Sequence, residues 1–186
     1  MIRIFVAIPI PDQLRLRLTG LRGQVPGARW TLPENMHLTL RFVGEIDEDA
    51  ADDVHDALAR ITADPFDVQL SGVGHFESRG QVRALWAGVA RNDELAHLQS
   101  RIEVACQRAG LPPETRRFHP HVTLGRCRDT SLARVAPFVA EHAGFVAPAF
   151  PVERFVLYSS VLGRSGSVYI PEMDYPLGVY LPADGH

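Results

Sequence analysis

The sequence predicts an α+β fold, and three observations lead there. Stretches with period-two alternation and stretches with helical spacing are interspersed along all 186 residues. The helical stretches are apolar on one face only. Many of the strand stretches alternate, so each presents one buried and one open face. Antiparallel sheets covered by helices on one side satisfy all three. A hydrophobic content of 46% supports one sizeable core, arranged as a single domain of one or two lobes over residues 1–186.

The elements follow in order. Residues 2–9 are β-branched and aromatic and run into proline, which marks a strand. Leu14, Leu18 and Leu21 have helical spacing within residues 11–23. Arg29 and Trp30 lead a short extended piece, and residues 36–43 alternate as a strand. Val54, Leu58 and Ile61 mark a helix over 47–62, with acidic residues in its first turn where they suit the helix dipole. Strands are expected over 66–76 and 81–90, split by Ser78-Arg79-Gly80. Leu95, Leu98, Ile102 and Cys106 lie on a helix over 92–109 that Gly110 closes. A strand over 118–127 and a helix over 130–142 come next. Strands over 145–150, 152–161, 167–170 and 175–181 complete the chain.

Composition excludes several classes. A net charge of −3 and a pI near 6.2 do not suit a basic wrapper for long nucleic acid. A local positive pocket is still open, because arginines cluster at positions 116, 117, 126 and 128. Two cysteines, Cys106 and Cys127, make no disulfide framework and no C-x-x-C pair. The first ten residues are apolar but end at Pro11 without a small-residue cleavage site, so they read as a strand and not a signal peptide. No apolar run approaches the roughly 20 residues of a membrane span. A cytoplasmic protein is expected.

The chemistry lies in two strands. "HLTLRFVG" begins at His37 and "HVTLGR" at His121, 84 residues later and close to half the chain. This spacing hints at an internal duplication. Residues two apart share a strand face, so His37 with Thr39, and His121 with Thr123, point the same way. Leu38 and Leu40, and Val122 and Leu124, point the other way. If the strands are neighbours, two imidazoles and two hydroxyls line one groove. A neutral imidazole can take a proton from water and an imidazolium can give one to a leaving oxygen. A reference pKa of about 6.5 makes both states accessible. The threonine hydroxyls can donate to non-bridging phosphate oxygens. Such a site requires no metal, and the chain lacks a carboxylate cluster at ligand spacing; no cofactor is expected. One H-x-T on a strand is more often structural than catalytic. Two H-x-T-L copies at matching places are not explained that way.

The paired motifs, with "RW" before the first and "LYSSVLGRSGSVY" after the second, resemble the 2H phosphoesterase superfamily. Within it the chain resembles the LigT-like RNA 2′,3′-cyclic phosphodiesterases, also called 2′-5′ RNA ligases. The resemblance runs from the first strand to "YPLGVYL". It implies a bilobal α+β fold in which two pseudo-symmetric antiparallel sheets form a central groove with helices outside. It implies metal-independent hydrolysis of an RNA-terminal 2′,3′-cyclic phosphate to a 2′-phosphomonoester, with reversible 2′-5′ ligation as a related activity. A monomer is expected. By resemblance His37 is the proton donor, His121 the proton acceptor, and Thr39 and Thr123 the phosphate holders. The residues alone do not say which histidine is acid and which is base. Phe42 and Arg126, each five residues after its histidine, are the implied nucleobase-binding pair, a base sandwich. Strict alternation would put both on the apolar face, and a bulge near Gly44 and Gly125 would turn them to the groove.

Other residues carry less. Simple alternation points Arg41 into the groove, towards phosphate. His119 is expected at the groove rim, and Tyr158 and Ser159 behind the site. His55, His97, His142 and His186 are expected to be solvated, and His75 to begin a turn. Two other functions compete. "HPH" at 119–121 occurs in nucleotidyl transferases with a histidine nucleophile, but those want Gln or His where Thr123 stands. That reading also leaves His37 and Thr39 unexplained. A non-catalytic nucleotide-binding module would not need two titrating groups.

Overall fold

The structure, a computed structural model, describes residues 1–178. Its strands are β1 (Ile2–Pro9), β2 (Ala28–Trp30), β3 (His37–Ile46), β4 (Phe66–Val68), β5 (Leu70–Ser78), β6 (Gln81–Val89), β7 (His121–Thr130), β8 (Phe150–Val152), β9 (Arg154–Gly163) and β10 (Gly166–Pro176). Its helices are α1 (Asp12–Thr19), α2 (Glu48–Ala59), α3 (Asp93–Arg108) and α4 (Leu132–His142), with a short 3-10 turn at Pro33–Asn35.

Alternation decides which face of the sheet is covered. In β1, Ile4, Val6 and Ile8 enter a large core shared with Leu14 and Leu18 of α1, Val54 and Leu58 of α2, Leu98 and Ile102 of α3 and Val135 and Phe138 of α4. Phe5 and Ala7 belong instead to a small cluster on the other face, with Val156 and Tyr158 of β9. All four helices therefore lie behind the sheet, and its front is left open.

The sheet has two antiparallel halves. One runs β10-β9-β1-β3 and the other β7-β6-β5, with β2 also beside β7. Between β3 and β7 one residue pair is in register, Leu38 with Val122, and it joins the halves into a continuous eight-stranded sheet. β4 and β8 form a separate two-stranded piece. The expected α+β, bilobal arrangement with helices outside a groove is the one observed.

Local chemistry explains the helix ends. Asp47 caps α2 by accepting from the Ala50 N–H at 2.8 Å, and Asn92 caps α3 by accepting from the Leu95 N–H at 2.9 Å. Gly110 follows α3 at φ 96°, the left-handed position that glycine takes without steric cost. α1 stops at Thr19, short of the expected residue 23, because Gly20 and Gly23 are poor helix formers; Leu21 stays buried all the same. The expected strand over 66–76 breaks at Gln69 into β4 and β5. The strands expected at 167–170 and 175–181 merge into β10; residues 179–181, and His186, lie outside the described residues. The strand expected over 145–150 is reduced to an isolated bridge at Val146 and the start of β8. Cys106 and Cys127 are both free and buried, and burial pushes the Cys106 thiol up to about 11.

Arg41 departs from expectation. Instead of entering the groove it is buried on the helix side. Its guanidinium donates to Glu103 Oε2 of α3, to the Phe42 carbonyl and to the Pro112 carbonyl, each at 2.6 Å. Glu103 also accepts from Gln107 and from the Glu114 N–H, both at 2.9 Å. Burial pushes the Glu103 carboxyl up, and these donors with Arg41 outweigh it and hold it below its usual value. The group ties β3 to α3 and to the loop after it. Arg41→Ala leaves a half-buried carboxylate without its countercharge. We expect a loss of about 3 kcal/mol in a urea unfolding experiment; a change near zero would show that the pair is no strut.

Candidate active site

The bridge between Leu38 and Val122 is antiparallel, so the two motifs oppose each other end to end. His37 of β3 lies beside Thr123 of β7, and Thr39 beside His121. Both leucine and valine partners are buried, and the histidines and threonines share the open face. The structure thus brings together His37, Thr39, His121 and Thr123. Neither threonine hydroxyl makes a hydrogen bond to protein among the described residues, so both are free to donate.

The next residues reach the same face by a device that sequence alternation hides. β3 pairs Ala7 with Thr39 but Val6 with Arg41, which leaves Leu40 as an extra residue. β7 pairs Trp86 with Thr123 but Leu85 with Gly125, which leaves Leu124 extra. The two bulges fall at the same step of the two motifs. After each, the alternation is reset. Phe42 comes to the groove face opposite Phe5, 55% exposed, with ring centroids 5.9 Å apart. Arg126 comes to the groove face opposite Ala84 and is exposed. The same reset sends Arg41 to the helices.

Each histidine stands in an aromatic nest. His37 is 8% exposed, with ring centroids 4.6 Å from Tyr158, 5.4 Å from Tyr169 and 5.8 Å from Phe5. His121 lies 4.8 Å from Phe76, perpendicular to it, and 6.3 Å from Trp86. Tyr158 and Phe76 play matching parts: Tyr158 pairs with Phe5, itself opposite Phe42, while Phe76 pairs with Ala84, itself opposite Arg126. Trp86 lies over Gly74, where any side chain would run into the indole ring. Its buried Nε1 has no acceptor among the described residues.

Burial sets the protonation. His37 is lowered to about 4, chiefly by burial, then by the charge of Arg15; the Asn35 backbone opposes this. His121 is also lowered, chiefly by burial, with the His119 carbonyl opposing and the His119 and Arg126 charges adding. Both imidazoles are neutral at pH 7 in the empty groove. His121 Nδ1 lies 2.6 Å from the His119 carbonyl, which can only accept. The proton is therefore on Nδ1, and Nε2 keeps its lone pair.

His119 lines the rim, its ring 4.8 Å from Trp86, and its backbone orients His121. Tyr158 packs against His37, while Ser159 turns to the other face of β9 and donates to Glu172 at 2.5 Å. His75 is in the middle of β5, not in a turn, and pairs with Leu85, so it points away from the groove face that Phe76 occupies. His55 is not simply solvated: its Nδ1 is 2.8 Å from the Tyr175 hydroxyl. His142 is half-buried on the Phe138 ring, and His97 is exposed. No group of three His, Cys, Asp or Glu side chains among the described residues is placed to hold a metal ion. No helix among them is long and apolar enough to cross a membrane. A hollow of about 900 Å³ between α2 and α3, lined by Asp53, Arg60, Ser100 and Arg101, contains neither motif. Sequence reading missed Phe5, Phe76, Trp86 and Tyr169. The glycine facing Trp86 two strands from the motif was the available signal.

Comparison with known proteins places this geometry in a family. The chain is 29% identical to an RNA 2′,3′-cyclic phosphodiesterase of Archaeoglobus fulgidus, over 90% of this chain and 96% of that protein. It is 33% identical to a protein of the same name from Aeropyrum pernix, over 73% of this chain and 78% of that one. Escherichia coli LigT complexed with 3′-AMP matches with a TM-score of 0.76 at 26% identity, covering 95% of this chain and 98% of that one. A Thermus thermophilus protein, TT0787, shares the fold with a TM-score of 0.79 at 24% identity, over 94% of this chain and 97% of that one. The family model described as the 2′-5′ RNA ligase superfamily matches residues 10–164, and the chain belongs to that superfamily.

Proposed function

We propose that this protein hydrolyses RNA-terminal 2′,3′-cyclic phosphates to 2′-phosphomonoesters, acting in the cytoplasm without a metal ion. The observation that carries this reading is the single antiparallel bridge at Leu38 and Val122, which sets both H-x-T pairs around one point. The relatives named RNA 2′,3′-cyclic phosphodiesterase support it.

His121 accepts a proton at Nε2 from water, whose oxygen attacks phosphorus. The bond from phosphorus to the 3′ oxygen breaks, and His37 gives its proton to that oxygen. Thr39 and Thr123 donate to the non-bridging oxygens, where charge gathers. Phe42 and Arg126 hold the terminal base between ring and guanidinium, surfaces on which any base can stack. His37 is neutral in the empty groove, so its acid role needs the substrate. A phosphate anion against the imidazole favours the charged form. Binding thus supplies the proton that burial withholds. 2′-5′ ligation follows the same path with a 5′-hydroxyl in place of water: its oxygen attacks phosphorus, the bond to the 3′ oxygen breaks, and the reverse of that step cleaves the 2′-5′ linkage.

His37→Ala and His121→Ala should each lower kcat by about 10²–10⁴ on a cyclic-phosphate-ended RNA while a cooperative unfolding transition is retained. Near-full activity in either variant would contradict the two-histidine mechanism. The expected product is the 2′-phosphate, separable from the 3′ isomer by chromatography, and turnover should persist in EDTA.

The pH profile carries a second expectation. kcat/KM reports the free protein, where both histidines lie below the ordinary 6.5. Its alkaline limb should therefore fall below pH 6.5. kcat reports the complex, in which phosphate raises His37, so its alkaline limb should lie at higher pH. Coincident limbs would show that substrate does not charge His37.

A further inference from the structure

Beyond the base site, the groove carries cations that the reaction itself does not use. Arg29 of β2 is directly opposite Arg126 of β7. Alternation puts both on the groove face, because their neighbours Trp30 and Cys127 pack into the helix-side core. Arg128 lies two residues beyond Arg126, where the β6–β7 register shifts, and its N–H donates at 3.0 Å to the carbonyl of Gly27, just before β2. All three are exposed, and none forms an ion pair among the described residues. Like charges directly opposed across a sheet are destabilising. An anion between them reverses the sign. Arg29 is also held in place: its Nη2 donates at 3.2 Å to the Ser165 carbonyl, at the tip of the β9–β10 hairpin. That bond orders the side chain and leaves its other donors free.

The reacting cyclic phosphate is occupied by the motifs, and Arg126 faces the terminal base. An RNA end differs from a free cyclic nucleotide by one nearby charge, the phosphodiester on its 5′ oxygen. We propose that Arg29, with Arg128 beside it, binds this upstream phosphodiester, so that the groove selects RNA chains over cyclic mononucleotides. The proposal rests on the cyclic-phosphate reading above. Planar guanidinium groups suit a phosphodiester, which offers two free oxygens.

The test compares adenosine 2′,3′-cyclic phosphate with the dinucleotide ApA ending in the same cyclic phosphate. The wild-type protein should favour the dinucleotide in kcat/KM, and Arg29→Ala should reduce that preference roughly tenfold. The loss should appear in KM, and Arg29→Lys should restore part of it. The slope of log kcat/KM against log salt for the dinucleotide should become shallower by about 0.7, the value for one lost contact to a single strand. An equal loss on both substrates, with the salt slope unchanged, would overturn the proposal and leave Arg29 as an anchor for the hairpin. So would a preference that survives the substitution. Dissociation constants for the 2′-phosphate products of both lengths judge the subsite independently of turnover. If the wild-type protein hydrolysed neither compound, the functional reading would fall, and the binding ratio would still decide the role of Arg29.

Discussion

One pairing, Leu38 with Val122, holds the site together. Two four-stranded units could pack in many ways, and most would leave their histidines unrelated. An antiparallel bridge centred between H and T of both motifs allows one arrangement: each histidine beside the other motif's threonine. Both bridge residues are fully buried against helices, so the contact is fixed by the core rather than by the groove. The groove side is then free to be polar. The cost of that polarity is small, because the two hydroxyls are half-exposed and the two imidazoles are neutral when empty.

The near-repeat of the two halves is broken where chemistry differs. Both strands bulge at the leucine that ends the motif, Leu40 and Leu124, yet the residue turned inward is Phe42 in one half and Arg126 in the other. Both histidines stand among rings, yet His37 is enclosed by three and is pushed further down, to about 4. Among the described residues the His121 ring meets only Phe76 and Trp86 besides His119, and its Nδ1 lies 2.6 Å from the His119 carbonyl, as the Asn35 backbone serves His37. A symmetric scaffold with asymmetric surroundings is a physical route to two histidines with two roles. Desolvation drives both toward neutrality, and a bound anion can restore charge to one of them.

Much of this was legible from residue spacing. The period of two around His37 and His121 placed each histidine and its threonine on one face, and the helical leucines placed the layer behind them. Gly110 was readable as a helix stop because its left-handed conformation has few other occupants. Arg41 was not readable, since the residue that claims it, Glu103, is 62 positions away and the bulge that turns it is a property of two paired strands. The aromatic walls were hidden for the same reason: Phe76, Trp86 and Tyr169 reach the histidines only through sheet order. His55 looked like a solvated helix residue until Tyr175, 120 positions on, came beside it. Local pattern reports which face a residue takes; it does not report what the opposite strand brings.

The central claim is that the two strands make one catalytic unit acting on one phosphate. The direct measurement is kcat for His37→Ala, His121→Ala and the double variant on a cyclic-phosphate-ended RNA. Groups that act together in one step are strongly non-additive. The account predicts that the double variant is about as slow as the slower single variant. Losses that multiply in full would mean that the histidines act independently, and would contradict a single site built on the Leu38–Val122 bridge.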